Sequence, residues 1–158
     1  MGVLYDYFRG PGAAIVTDLM DRTDADPPGV IDELVTEVVD AKGLDALVCV
    51  GALCSFVVGG SRTAGTFRTR LVWPVLDPED LMEHQGPWVE QLSDGMRDTL
   101  AAVDDDRIPE LAARWVRIEE INWPGAADDV LVPVVTDLVA LARAAQAAGD
   151  HLYCWSSL

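Results

Sequence analysis

Cations and thiols are scarce in this chain. One lysine, Lys42, and ten arginines stand against 27 aspartates and glutamates in 158 residues, which leaves a formal charge of -16. Non-specific nucleic-acid binding needs a cationic surface that releases counterions, and this chain repels a phosphate backbone, so nucleic acid is excluded as a partner. The cysteines Cys49, Cys54 and Cys154 are odd in number and form no CxxC pair, which fits neither a disulfide framework nor a zinc ribbon. Reduced, buried thiols and a cytoplasmic location are the expectation. The longest apolar stretch, residues 46–58, is too short to cross a bilayer. No basic stretch followed by an apolar run opens the chain, and Gly2 is followed by Asp6 where a myristoylation signal favours Ser or Thr. The expectation is a protein with no membrane partner. A Walker lysine, a GxGxxG fingerprint and a Gly-x-Ser-x-Gly elbow are also absent, and no cofactor is expected.

Half of the residues are hydrophobic, and that excludes a disordered acidic chain. This length buries roughly two-thirds of its unfolded surface and fits one domain over residues 1–158. Residues 3–8 read as a strand ended by Gly10-Pro11-Gly12, and residues 13–21 as a helix burying Ile15, Leu19 and Met20. Ile31, Leu34, Val35 and Val38 recur at helical spacing, with Lys42 in the last turn and Gly43 as a left-handed cap. Asp45 caps a second helix over 46–58, apolar nearly all round and so expected at the centre of the core. Residues 67–76 read as a strand with Arg68, Arg70 and Val72 on one face, and Pro74 marks an edge or a strand end. A helical turn from Asp77, helices from Ser93 and Ile108, a helix over 129–148 and a strand over 151–155 complete the chain. The predicted class is α+β, a single compact domain with a small sheet of about three strands and several packed helices.

The start Met1-Gly2-Val3-Leu4-Tyr5, the turn Lys42-Gly43-Leu44-Asp45 leading to an apolar helix closed by Gly59-Gly60, and the last strand Leu152-Tyr153-Cys154-Trp155 resemble the YfbM-like family of small bacterial proteins. The resemblance spans most of the chain and rests on packing motifs. It implies a compact α+β fold and brings no assigned activity. Arg62 to Arg70 has no role that carries over from the family.

Charge is unevenly distributed. Residues 44–76 hold one acid and three arginines, whereas residues 77–123 hold 13 acids and four arginines. In the acid-poor segment, Gly59-Gly60-Ser61 precedes Arg62, Arg68 and Arg70, a candidate site for phosphate or carboxylate through guanidinium forks and backbone amides. The bland alternative is a helix cap whose arginines pair with surrounding acids. Asp80 and His84 are four apart and share a helical face as a candidate base and orienter, or as ligands that lack further metal donors. A surface histidine is the competing reading. No catalytic residue is assigned, because the thiols fall in the expected core and no serine triad is present. Trp88 and Trp123 lie beside Pro87 and Pro124 and are candidates for a partner surface, with packing as the alternative.

Two functions fit. The first is a non-enzymatic protein-binding module, immunity-like or regulatory, that meets a basic protein partner through the acidic segment 77–123. The second is a protein or enzyme that binds a small molecule or anion on Arg62, Arg68 and Arg70. An exposed edge strand near Pro74 also offers a homodimer contact.

Overall fold

The computed structural model describes residues 2–31, 33, 37–59, 67–121 and 123–158. Five strands form one sheet in the order β2-β1-β5-β4-β3, two more than the sequence predicts. They are β1 (Leu4–Gly10), β2 (Val39–Asp40), β3 (Thr69–Trp73), β4 (Trp88–Leu92) and β5 (His151–Ser157). Every neighbouring pair is antiparallel. The C-terminal strand β5 is central, bonded to β1 along its whole length and to β4 on its other side.

Strand alternation sends successive side chains to opposite faces, and here both faces are covered. Tyr7, Leu92, Leu152 and Cys154 meet α2 (Gly51–Val57), α4 (Asp94–Ala101), α5 (Ile108–Trp115) and α6 (Val132–Ala148). Phe8, Val72, Val89, Tyr153 and Trp155 meet α1 (Ala13–Thr23) on the other face. This explains why residues 152–155 read as a continuous apolar run. The remaining helix, α3 (Pro78–Glu83), connects β3 to β4 with no fully buried residue.

Two buried hydrogen bonds tie the helical layer to its neighbours. Trp115 Nε1 donates to the Cys49 carbonyl at 2.7 Å, and Tyr7 Oη donates to the Leu44 carbonyl at 2.6 Å. Each gives a large buried ring a partner for its one polar atom. On the other face, Trp155 Nε1 donates to the Ala25 carbonyl at 3.0 Å.

Several expectations are corrected by this arrangement. Instead of a helix running to Lys42, Val39–Asp40 forms the edge strand β2, because Tyr7 and Asp6 of β1 offer a register for pairing; Leu34 and Val35 lie outside the described residues. Gly43 does supply positive φ, at 79°, in the turn that follows. In α1 the buried residues are Val16, Leu19 and Met20, while Ile15 is 58 % exposed. The helix after Asp45 is present, and the Asp45 carboxylate accepts from Val48 N at 2.6 Å. It opens with a π-helical turn, Ala46–Val50, before α2, and Leu47 is 48 % exposed, so it flanks the core with one apolar side in solvent. The strand β4, with Trp88 at its start, occupies a segment to which the sequence assigns no element.

Candidate functional site

A cleft of about 760 Å³ opens at one end of β3 and β4, lined by residues 68–70 and by residues 91–95 where β4 turns into α4. Arg68 and Arg70 both contribute to it. Alternation along an extended chain puts these two side chains, two residues apart, on one side of the strand. Arg70 Nη2 donates to Gln91 Oε1 at 3.0 Å on the facing strand. That partner is neutral.

Neither Arg68 nor Arg70 has a carboxylate within ion-pair distance among the described residues. By contrast, Arg9, Arg22, Arg97, Arg114, Arg117 and Arg143 all do. Among the described residues only Arg107 shares the lack of a carboxylate, and it is taken up by the Val57 carbonyl at 3.1 Å, so pairing with surrounding acids does not describe Arg68 and Arg70 there. The field of Arg70 extends across the sheet. Burial pushes the Tyr153 phenol up to about 12, and the Arg70 guanidinium pulls in the opposite direction.

The floor of the cleft is the start of α4. Ser93 occupies the position before the helix, as predicted, but its side chain does not cap it. Its Oγ instead accepts from Arg68 N at 3.4 Å, while Ser93 N donates to Arg68 O at 2.9 Å. The carboxylate of Asp94 also borders the cleft, and it is already engaged. His151 Nδ1 lies 2.7 Å and Arg97 Nη1 3.4 Å from Asp94 Oδ1. Sequence inspection had no means to find Gln91 and Ser93 here, because they meet Arg68 and Arg70 only through sheet pairing and the β4-α4 turn.

The other candidates are dispersed. Arg62 lies outside the described residues. His84 sits away from the cleft, its Nε2 2.8 Å from the Pro87 carbonyl and its ring edge-on to Trp73 and Trp88. That places the histidine in a structural clasp between β3 and β4. Asp80 is exposed on α3. Trp88 is half-buried at the start of β4, whereas Trp123 is 38 % exposed beside Pro124. All three cysteines are buried. Burial pushes Cys49 up to about 11 and Cys54 up to about 12, and it pushes Cys154 up further. Thiols held protonated are poor nucleophiles and poor ligands. Among the described residues no group of three His, Cys, Asp or Glu side chains is placed to hold a metal, and no helix is long and apolar enough to cross a membrane.

No family model, no curated protein and no solved structure matches the chain.

Proposed function

We propose that the protein binds an anionic group, a carboxylate or phosphate, in the cleft between Arg68 and Arg70. One observation carries the reading: Arg68 and Arg70, which have no carboxylate partner among the described residues, both border one cleft, whereas Arg107, the other described arginine outside an ion pair, donates to the Val57 carbonyl. A guanidinium is always charged and presents forked N–H donors suited to planar or tetrahedral oxyanions. Gln91 holds Arg70 in place, and Asp94 is turned to Arg97 and His151. The cleft thus acts as a local positive site within a negative molecule, a contrast that discriminates in favour of ligands small or extended enough to meet only the arginines.

The activity is recognition and not chemistry. His84, the proposed base, is held by Pro87 and two tryptophans away from the cleft, and the thiols are buried. Thermal unfolding in inorganic phosphate or a small dicarboxylate, at ionic strength matched with sodium chloride, tests the proposal. At ten times its Kd a ligand stabilises the fold by about 1.4 kcal/mol, a rise in Tm of roughly 3–6 °C at this chain length. The double variant Arg68→Ala/Arg70→Ala should lose that rise. An equal rise in both proteins would refute the site.

A further inference from the structure

Beside the cleft, β3 forms the edge of the sheet, and among the described residues no strand lies beyond it. The bond from Ser93 N to Arg68 O makes Arg68 a residue whose main chain faces β4. Antiparallel pairing alternates, so Arg70 faces β4 as well, opposite Gln91, and the N–H and C=O groups of Thr69 and Leu71 point outward. Further along, α1 closes this edge. Thr17 Oγ1 donates to the Val72 carbonyl at 3.3 Å, and Trp73 Nε1 donates to Asp21 at 2.9 Å. Among the described residues the open edge is therefore the four residues 68–71, carrying two arginines without a carboxylate partner on one side and Leu71, 37 % exposed, on the other.

We propose that this edge binds an extended acidic segment of another protein, added to the sheet as a further strand. The segment has carboxylates two residues apart, opposite Arg68 and Arg70, and an apolar residue opposite Leu71. For antiparallel addition the pattern is apolar, acidic, any, acidic. This rests on the reading of Arg68 and Arg70 as anion binders and names the source of the carboxylates. Charge decides the occupant: a second copy of this chain brings two more arginines to the edge and a molecule of charge -16 to one of equal charge, whereas an acidic strand meets two arginines that have no carboxylate partner among the described residues.

The test uses a fluorescein-labelled peptide Ser-Val-Glu-Thr-Glu-Ser with blocked ends, followed by anisotropy, together with amide hydrogen exchange of the full chain. Saturable binding should come with protection of the Thr69 and Leu71 amides, and removal of either arginine should weaken it by up to about fivefold. A peptide with lysines in place of its glutamates should not bind, and should do so to Arg68→Glu/Arg70→Glu, whose melting curve checks that it folds. Binding without protection of Thr69 and Leu71 overturns strand addition. If phosphate or a dicarboxylate binds and the peptide binds no better, the anion site stands and this inference falls; if none binds, both fall. A dimer that dissociates on adding peptide would assign the edge to a second copy and overturn the proposal.

Discussion

At the scale of single residues, the same side-chain type serves opposite ends depending on its neighbours. Arg9 bonds Asp150 at 2.6 Å and ties β1 to the start of β5, while Arg143 bonds Asp105 and the carbonyls of Ala101 and Val103. Arg68 and Arg70 have no such carboxylate among the described residues, and that contrast is what singles them out as the proposed binding residues. His84 illustrates the converse, a residue type suited to catalysis that is occupied with packing. Replacing it with Ala removes the contact to the Pro87 carbonyl and two edge-on ring contacts. The expected loss is about 1–2 kcal/mol by denaturant titration, with anion binding at the cleft unchanged. The thiols make a separate prediction. A thiol-specific reagent should titrate none of Cys49, Cys54 and Cys154 in the native protein and all of them after denaturation, because each is buried and each is held protonated by burial first of all. Rapid labelling of the native protein would contradict the placement of these residues in the core.

Between elements, like charges meet at the β1-β2 pair, where Asp6 lies directly opposite Asp40. Burial, and then the Asp40 charge, hold the Asp6 carboxyl above the usual carboxylate range. A raised folded value means that the unfolded chain gives up this proton first, so the pair lowers stability once pH rises above the unfolded value. Asp40→Asn should therefore stabilise the protein by about 0.5 kcal/mol at neutral pH. The amide oxygen can still accept the bond that Asp40 Oδ1 takes from Lys42 N. The gain should vanish as pH falls and Asp6 takes up its proton, and melting curves at neutral and acid pH measure it. This strand is also where sequence reasoning failed. Ile31 to Val38 carries a helical spacing, and nothing local announces that Val39 pairs with Tyr7, some thirty residues earlier. β4 was illegible for a related reason: Val89 and Leu92 each pack inward, but Glu90 and Gln91 between them hide a five-residue strand. Long, strongly periodic elements were legible, including α5 with Leu111 and Trp115 inward and the helix that ends at Gly149. Arg68 and Arg70 were legible as a candidate pair; their convergence with Gln91 and Ser93 was not, because register brings them together.

For the whole molecule, the charge of -16 is offset locally and not globally. Among the described residues six of nine arginines take part in ion pairs with aspartate or glutamate, and most of the acids remain in solvent, where their mutual repulsion opposes the compact state. Raising sodium chloride from about 20 mM to about 500 mM shortens the screening length from roughly 20 Å to about 4 Å and should raise Tm by a few degrees. The same salt should weaken anion binding at the cleft, since chloride screens Arg68 and Arg70 too. These opposite responses distinguish a general charge effect from a site. On the proposed reading the acidic shell would serve selectivity, in that a ligand must carry its negative charge to the arginines in a shape that avoids the rest of the surface.

The central claim is that Arg68 and Arg70 form the anion site, and the guanidinium Nε–H resonances of the arginines report on it directly. Titrating phosphate or a small dicarboxylate at constant ionic strength should give saturable shifts of Arg68 and Arg70 with a shared midpoint, while Arg9, Arg97 and Arg143, each already bonded, stay in place. A uniform, unsaturated drift of all exposed arginines, or no shift of these two, would contradict it.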